Sequence, residues 1–273
     1  MGLTQSAISH SLKRLREAFH DPLFLRTPKG MEPTSVALGL EGRLRAVVET
    51  LSDAISVPVS FDPSTARDVI RIGAYDNEMT TLIPDLLQTV RREAAGMRVS
   101  ILPLGRRPAL EALERQEIDL ALGFAWNLPR NIRKTDLFEE TYSVVMRRGH
   151  PLDGPAMDLE DFVTAEHLIV SPGGDLQGIV DAELAKRGLS RRIAISVPQF
   201  LPALSIIGTT DLIATMPARL VASQSKRYGL VALPPPLDIR SFTVSALTHE
   251  RNANNPMHGW LIGALRQIAG RPV

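Results

Sequence analysis

"TQSAISHSLKRLREAFHDPLFLRTPKGMEPT", residues 4–34, predicts one helix followed by a hairpin. Thr4 is a typical N-cap residue, and the pair Asp21-Pro22 ends the helical pattern. Between them, apolar side chains recur at helical spacing and form one stripe, made of Ile8, Leu12, Leu15 and Phe19. Beyond the proline, "LFLR" predicts a short strand, "TPKG" a turn and "MEPT" a return strand.

The polar face of this helix and the hairpin carry residue types that contact DNA. Residues 1–30 hold five basic and two acidic side chains, a local net charge of +3 in a chain whose net charge is +1. Short polar side chains on a helix reach base edges in the major groove, and lysine and arginine contact phosphates. The pattern has what a winged helix-turn-helix needs, but taken alone it favours an ordinary amphipathic surface helix.

A second helix is predicted over residues 34–55. Its apolar residues recur at spacings of three and four, and they are Val36, Leu40, Leu44, Val47, Val48, Leu51 and Ile55. At about 1.5 Å per residue the rod is roughly 33 Å long, and its apolar stripe must be covered by another surface. "SVPVSFDPSTAR", residues 56–67, is rich in proline and serine and predicts a linker.

Beyond residue 67, short apolar strands alternate with helices. "DVIRIGAY" (68–75) and "MRVSILPL" (97–104) predict strands that flank the helix "TTLIPDLLQTVRREA" (80–94). The pattern continues to the end of the chain and predicts an α/β fold with mostly parallel strands. About ten strands are many for one sheet, so two α/β lobes are predicted.

The composition is that of a globular protein, with 44% apolar and 22% charged residues in a chain of 273. The chain has no cysteine, which excludes disulfides, thiolate nucleophiles and cysteine-based zinc sites. The histidines lack metal-binding spacing, and nucleophile-elbow and phosphate-loop motifs are absent, so no catalytic residue, metal or cofactor is predicted. We recognise no signal peptide or membrane span and expect a cytoplasmic protein without a membrane partner.

The order of residues in the opening stretch resembles the LysR-type transcriptional regulators. In that family a recognition helix of the form S/T-Q-x-A-x-S-x-x-x-x-x-L-E precedes the motif PLF-x-R. The matching positions here are Thr4, Gln5, Ala7, Ser9, Leu15, Pro22, Leu23, Phe24 and Arg26. Glu17 stands two residues after Leu15, where many members have Leu-Glu. Later phrases such as "IDLALG", "HPL" and "TDLIATMPARL" extend the resemblance, which points to the branch of nodulation and aromatic-degradation regulators.

By this resemblance the first helix is the recognition helix and the hairpin is the wing. The residues expected to contact DNA are Thr4, Gln5, Ser6, Ser9, His10, Lys13, Arg14, Arg26 and Lys29. Family members carry about thirty further residues that form the first helix and most of the second helix of this domain. We therefore expect a truncated member, in which the start is misplaced or stable DNA binding has been lost.

The resemblance also divides the chain. Residues 1–33 are a partial winged helix-turn-helix, and residues 34–66 are a dimerisation helix with its linker; the alternative is that this helix packs on its own effector domain. Residues 67–146 and 240–273 form effector lobe I, and residues 147–239 form lobe II, in a domain like a periplasmic binding protein.

In such folds the ligand lies where the C-terminal ends of strands meet a cleft between lobes. The loops at these ends supply the expected ligand contacts, which are Tyr75, Asp76, Asn77, Arg106, Phe124, Trp126, Ser171, Gly173, Gln199 and Phe200. Thr80 or Thr81 is expected to cap the following helix, and Ser171 and Gly173 to lie at a helix start. An arginine, helix N-termini and aromatic faces favour a small organic acid, with aromatic acids among the candidates.

The resemblance implies allosteric regulation. Ligand binding is expected to close the lobes, to change how dimers pack within a homotetramer, and so to change the spacing of the DNA-binding domains on promoter DNA. One alternative is a stand-alone small-molecule-binding protein that has lost stable DNA binding. Another is an enzyme on a two-lobed fold, but the sequence shows no nucleophile–base pair or metal cluster that favours it.

Overall fold

A computed structural model describes residues 5–28, 30–55, 60–125 and 127–271. Three predicted site residues lie outside the described part of the chain, namely Thr4, Lys29 and Trp126. For Gln5 and Arg106 the backbone alone is described. The chain divides into two compact units, Met1–Val59 and Ser60–Val273.

The N-terminal unit consists of a helix, a hairpin and a long helix, as predicted. Its elements are α1 (Gln5–Phe19), β1 (Phe24–Thr27), β2 (Gly30–Pro33) and α2 (Ser35–Ile55). The two strands pair antiparallel, with Thr27 opposite Gly30 at the turn. Gly30 has φ +121°, a conformation that favours glycine, so this residue suits the tight return of the chain.

The second unit alternates strands and helices. Its strands are β3 (Val69–Ala74), β4 (Arg98–Pro103), β5 (Leu120–Gly123), β6 (Ile132–Glu140), β7 (Tyr142–Arg147), β8 (Glu166–Val170), β9 (Arg192–Val197), β10 (Ala214–Pro217), β11 (Leu230–Leu233) and β12 (Phe242–His249). Its α-helices are α3 (Asp76–Thr81), α4 (Ile83–Glu93), α5 (Arg106–Glu114), α6 (Leu159–Thr164), α7 (Ile179–Ala185), α8 (Phe200–Ile207), α9 (Ala218–Tyr228) and α10 (Pro256–Ala269). A short 3-10 helix covers Glu250–Asn252.

Lobe I is built on a five-stranded sheet with the order β4-β3-β5-β12-β6. β3 runs parallel to β4 and β5, whereas β12 runs antiparallel to β5 and β6. Leu86 of α4 and Leu265 of α10 pack with Ile72 on one face of the sheet. Leu113 of α5 packs with Ala121 on the other face. Both faces are therefore covered, which explains why β3 and β5 are almost continuously apolar.

Lobe II contains a three-stranded antiparallel sheet, β10-β7-β11, and a parallel pair, β8-β9. An isolated β-bridge between His167 and Ile213 connects the strand pair to the three-stranded sheet. One core packs α8 and α9 around Leu204, and the other packs α6 and α7 around Phe162. The strands of both lobes are thus mixed rather than mostly parallel, because β7 and β12 run antiparallel to their neighbours where the chain passes from one lobe to the other.

The chain passes between the lobes at Thr141 and again between β11 and β12. β7 pairs with β10 and β11, so it belongs to lobe II, and the first lobe boundary lies at Thr141 rather than after residue 146 as expected. The sequence around this point reads as one strand, a turn and another strand, and that pattern does not reveal that the two strands join different sheets. The predicted two-lobed α/β class itself is confirmed. Among the described helices, none is long and apolar enough to cross a membrane.

Candidate functional site

In the N-terminal unit, α1 exposes a row of short polar and basic side chains. The exposed predicted DNA contacts on this helix are Ser6, Ser9, His10, Lys13 and Arg14. Spacings of three and four residues place them on one side of the helix. Arg26 is exposed on β1. Hydroxyls and an imidazole suit base edges, and the basic side chains suit phosphates, so this surface has the chemistry of a nucleic-acid interface.

Asp21 joins the hairpin to the helices that flank it. Its Oδ1 accepts hydrogen bonds from the Leu23 backbone nitrogen and the Thr34 hydroxyl, each at 2.7 Å. Thr34 Oγ1 in turn accepts from the Ala37 nitrogen at 3.2 Å and caps α2. The Arg16 guanidinium donates to the Pro22 carbonyl at 2.8 Å. These bonds fix the direction of the wing relative to α1, which the motif alone does not reveal.

The apolar stripes of α1 and α2 remain exposed within the chain. Ile8 is 54% exposed, Leu15 46% and Phe19 41%. On α2 the exposed large side chains are Val36, Leu38, Leu44, Val47, Val48 and Leu51. Exposed apolar stripes of this length are typical of surfaces that another polypeptide covers.

Lobes I and II enclose a cavity of about 350 Å³. It opens where the C-terminal ends of β3, β4 and β5 face lobe II, the usual ligand position in open α/β sheets. Its lining residues are Tyr75, Asn77, Glu78, Leu104, Gly105, Ala109, Ala121, Leu122, Gly123, Phe124, Val170, Pro172, Phe200, Pro217, Phe242 and Leu247. The described part of this wall contains no lysine, arginine or histidine. An apolar, partly aromatic cavity with few polar groups is suited to a small organic molecule.

Four of the predicted ligand contacts lie in the cavity wall: Tyr75, Asn77, Phe124 and Phe200. Sequence reasoning missed the remaining wall residues, among them Phe242, because they come from elements far apart in the chain. Phe242 forms an edge-to-face pair with Phe124, with 5.2 Å between ring centroids. The loops after the strands therefore supplied part of the wall in the prediction, whereas neighbours of those residues such as Phe242 emerge only from the tertiary structure.

Ser171, Gly173 and Gln199 are outside this wall. The Ser171 hydroxyl donates to the Asp175 carboxylate at 2.8 Å, so it is engaged in its own loop. Because α7 begins at Ile179, Ser171 and Gly173 precede the helix by several residues rather than start it. The expected threonine cap is wrong too. Thr80 and Thr81 donate to carbonyls one turn earlier in α3.

Tyr75 and Asp76 link the two lobes. The Tyr75 hydroxyl donates to the Pro198 carbonyl at 2.6 Å. Asp76 Oδ2 accepts from the Phe200 and Leu201 backbone nitrogens at 2.5 and 3.0 Å, and so caps α8. Asp76 therefore faces a helix of lobe II instead of the cavity, and its predicted role as a ligand contact gives way to a structural one.

A group of buried carboxyls lies beside the cavity. Glu78 is 5% exposed and lines the wall. Burial, with a smaller contribution from the nearby carboxyls of Asp76 and Glu140, raises the pKa of Glu78 to about 7. Burial also raises the pKa of Glu140, whose Oε1 accepts from the Thr141 and Arg219 nitrogens at the first crossing between the lobes. In the sequence, "DNEMTT" resembles a polar loop, so no local signal marked Glu78.

A second cavity, of about 460 Å³, shares Phe124 and Phe242 with the first. Its wall carries two cationic side chains, Lys134 and Arg240, and the phenol of Tyr142. Lys134 pairs with Asp136 at 2.9 Å. Burial raises the pKa of Tyr142 to about 12, so this phenol stays protonated at neutral pH. The second cavity is thus more polar than the first.

A buried ionic network holds lobe II together on the side of α7. Arg191, with 3% of its side chain exposed, pairs with Asp181 through two hydrogen bonds of 2.9 Å. Arg191 also lies 3.2 Å from His167 Nδ1, and His167 Nε2 lies 2.7 Å from the Phe162 carbonyl. Burial lowers the pKa of His167 to about 4, so the ring is neutral and donates to that carbonyl. Every polar group of the network has a partner, which indicates a structural role.

In comparisons with known proteins, both units of the chain match models of the same family. Residues 64–270 match the family model "LysR substrate binding domain", and residues 1–38 match "Bacterial regulatory helix-turn-helix protein, lysR family". The HTH-type transcriptional activator NagR of Ralstonia sp is 34% identical, with 96% of this chain and 87% of NagR covered. Nodulation protein D 3 of Rhizobium leguminosarum bv. phaseoli is 27% identical, with coverages of 99% and 90%. A crystal structure of the probable regulator PA0477 from Pseudomonas aeruginosa has TM-score 0.69 and 32% identity, with coverages of 97% and 89%.

Proposed function

Because the chain belongs to the LysR family of transcriptional regulators, we propose that its interlobe cavity binds a small organic acid and that this ligand controls promoter binding. The predicted branch, that of nodulation and aromatic-degradation regulators, is confirmed by the relatives NagR and Nodulation protein D 3. NagR is named as a transcriptional activator.

The observation that carries the proposal is the cavity of about 350 Å³ at the ends of β3, β4 and β5. Phe124, Phe200 and Phe242 lie in its wall and offer faces and edges to an aromatic ring. A cavity of this volume accepts a molecule with one ring and its substituents. We therefore favour an aromatic acid over an aliphatic one.

The carboxylate of the ligand has a place at the start of α5. Gly105 lines the cavity and occupies the N-cap position of this nine-residue helix, without a side-chain cap. The uncapped N–H groups and the helix dipole favour an anion there. The start of α8 is not available, because Asp76 already caps it. Arg106 is the first residue of α5, next to Gly105 in the chain.

Ligand binding changes how the subunits associate. Tyr75 and Asp76 bond across the cleft, so a ligand that fills the cavity adds to the contacts of the closed arrangement. Closed lobes change how the dimers pack in a homotetramer and so alter the spacing of the DNA-binding units on the promoter. The exposed apolar stripe of α2 supports its role as the seam between two copies.

Ligand binding is tested by thermal unfolding with matched acids and amides. Benzoate and hexanoate are compared with benzamide and hexanamide, and we expect stabilisation by the aromatic acid above all. Val170→Trp fills the cavity and should abolish the shift, whereas Ile195→Trp, at an exposed position of β9 outside the cavity, should retain it. A shift that survives Val170→Trp places the ligand elsewhere.

DNA binding is tested by gel shift with the promoter fragment that precedes the gene. We expect binding that weakens steeply with salt and changes with the aromatic acid. The exposed stripe of α1, with Ile8 at 54% exposure, favours a second candidate: a small-molecule-binding protein without stable DNA binding. Ligand stabilisation together with no gel shift at low salt would select that second function.

A further inference from the structure

Glu78 is the one acidic side chain in the described part of the interlobe cavity wall. The residue is 5% exposed, and the same part of the wall contains no lysine, arginine or histidine to neutralise it. Most other wall residues are apolar or aromatic. An ionised carboxylate in such surroundings is poorly solvated, so the protonation of Glu78 responds to any further charge that enters the cavity.

The charged groups nearest to Glu78 are carboxyls too. Asp76 and Glu140 disfavour the ionised form of Glu78, whose carboxylate accepts from the neutral amide of Asn77 at 3.1 Å. Asp76 and Glu140 each accept two backbone N–H bonds, which favour their own ionised forms. Of the three carboxyls, Glu78 therefore takes up a proton most readily, and burial raises its pKa to about 7.

The elements that pack on α3 direct their cations elsewhere. They are β3, α4, α8 and α9, and α8 has no ionisable side chain. The Arg219 guanidinium of α9 donates to the carbonyls of Ala269 and Arg271. The Tyr75 phenol in the cavity wall stays neutral, because burial raises its pKa. The other ionisable side chains on these elements are exposed or half-buried, and they are Arg71, Asp85, Arg91, Arg92, Glu93, Lys226, Arg227 and Tyr228.

We propose that an anionic ligand enters the interlobe cavity together with one proton, which Glu78 takes up from solvent. The inference rests on the proposed function, since it concerns the same cavity and an acidic ligand, and it adds regulation of that site by pH. The proton binds a carboxylate oxygen of Glu78, and no covalent bond of the ligand changes. Direct contact is not required, because like charges within one apolar cavity repel each other across it.

Proton uptake makes ligand affinity depend on pH. With a pKa of about 7, the neutral fraction of Glu78 falls from about nine-tenths at pH 6 to about one-tenth at pH 8. The affinity for an acid should therefore fall by up to about tenfold over this range, whereas the affinity for an uncharged analogue should not change. The regulator then responds to its ligand more strongly as the pH falls.

The test is calorimetric titration of the full chain at pH 6 and pH 8. The acids are benzoate and hexanoate, and the uncharged controls are benzamide and hexanamide. At pH 8 each titration is repeated in HEPES and in Tris, whose different ionisation enthalpies reveal how many protons are bound with the ligand. We expect uptake of up to about 0.9 proton per acid, and none with the amides.

The variant Glu78→Gln stays neutral at every pH. Its affinity for the acids should be the same at pH 6 and pH 8, and no proton should be taken up. Glu183→Gln, in a surface pair with Lys186, is the control and should keep the wild-type dependence on pH. If Glu78→Gln does not fold, the proton count of the wild type with acids and amides still decides the question.

The outcomes separate the two proposals. An acid affinity that is equal at pH 6 and pH 8, without proton uptake, overturns the inference while the acid-binding function stands. Uptake that persists in Glu78→Gln also overturns the inference, because another group then binds the proton. If neither acid binds even at pH 6, the proposed acid-binding function fails and the inference fails with it.

Discussion

Asp76 and Phe200 lie on opposite lobes, and the Asp76 carboxylate accepts a 2.5 Å hydrogen bond from the Phe200 backbone nitrogen. A second bond, of 3.0 Å from the Leu201 nitrogen, completes a cap on α8. Gln199, at the N-cap position itself, makes no side-chain bond to the helix. Lobe I therefore supplies the cap for a helix of lobe II, and the contact couples the stability of that helix to the arrangement of the two lobes.

Removal of this cap should weaken both the fold and the ligand site. Asp76→Ala is expected to lower the free energy of unfolding by about 0.5–2 kcal/mol, as the loss of a helix cap does. It should also weaken binding of the aromatic acid, since the cleft loses a bond between its lobes. Asp158→Ala is the matched control: Asp158 caps α6 within lobe II through a 2.8 Å bond to the Asp161 nitrogen. Asp158→Ala should lower the free energy of unfolding by a similar amount and leave the affinity for the aromatic acid unchanged. Urea unfolding measures the stability of both variants, and calorimetry measures their affinity.

Glu78 should make the stability of the domain depend on pH. Burial raises its pKa from 4.5 to about 7, so the folded state holds a proton between these values that the unfolded state has released. The stabilising effect of this protonated carboxyl is fully present below pH 4.5 and is lost as pH rises through about 7. Glu78→Gln stays neutral at every pH.

The Glu78→Gln variant should match the wild type at pH 4 and exceed it at pH 8 by up to about 3 kcal/mol in the free energy of unfolding. Urea unfolding at both pH values measures the difference. Glu183→Gln, in a surface pair with Lys186, is the control and should show no such gain at pH 8. Equal stability of wild type and Glu78→Gln at pH 8 would contradict the assigned burial of this carboxyl.

Local patterns in the sequence predicted the elements but not their long-range partners. The stripe from Ile8 to Phe19 depends on helical periodicity alone, and α1 forms where it was predicted. Asp76 follows a strand, so a contact with the ligand was a reasonable interpretation. Its true partner stands 124 residues later, and no pattern near Asp76 shows that a helix end approaches it.

Buried polar residues were the hardest to predict. Glu78 and Asn77 sit in a stretch with the composition of an exposed loop, yet both are buried in α3. Their environment depends on how α3 packs against α8 and α9, which is a tertiary property. The rule that ligands lie at the C-terminal ends of parallel strands identified Tyr75, Asn77 and Phe124, because it follows from sheet topology. It had no means of finding Phe242, whose strand returns from lobe II.

The buried pair of Asp181 and Arg191 should be far more important for stability than exposed ion pairs. Asp181→Asn leaves an arginine with 3% side-chain exposure without its carboxylate, which should cost about 3–5 kcal/mol in the free energy of unfolding. Glu166→Gln breaks the pair with Arg192, whose side chain is 77% exposed, and should cost less than about 1 kcal/mol. Urea unfolding of both variants at pH 7 provides the comparison. Similar losses would mean that Arg191 is hydrated.

Lys13 should contribute to DNA affinity through phosphate contact and not through sequence recognition. It is exposed on the same face of α1 as Ser9 and His10. Lys13→Ala should weaken binding to specific and unrelated DNA alike and reduce the slope of log affinity against log salt by about 0.9. Arg45, which pairs with Glu41 on α2 outside the predicted DNA face, is the control, and Arg45→Ala should leave the slope unchanged. Gel shifts over a salt series measure both slopes, and an unchanged slope for Lys13→Ala would remove this residue from the DNA interface.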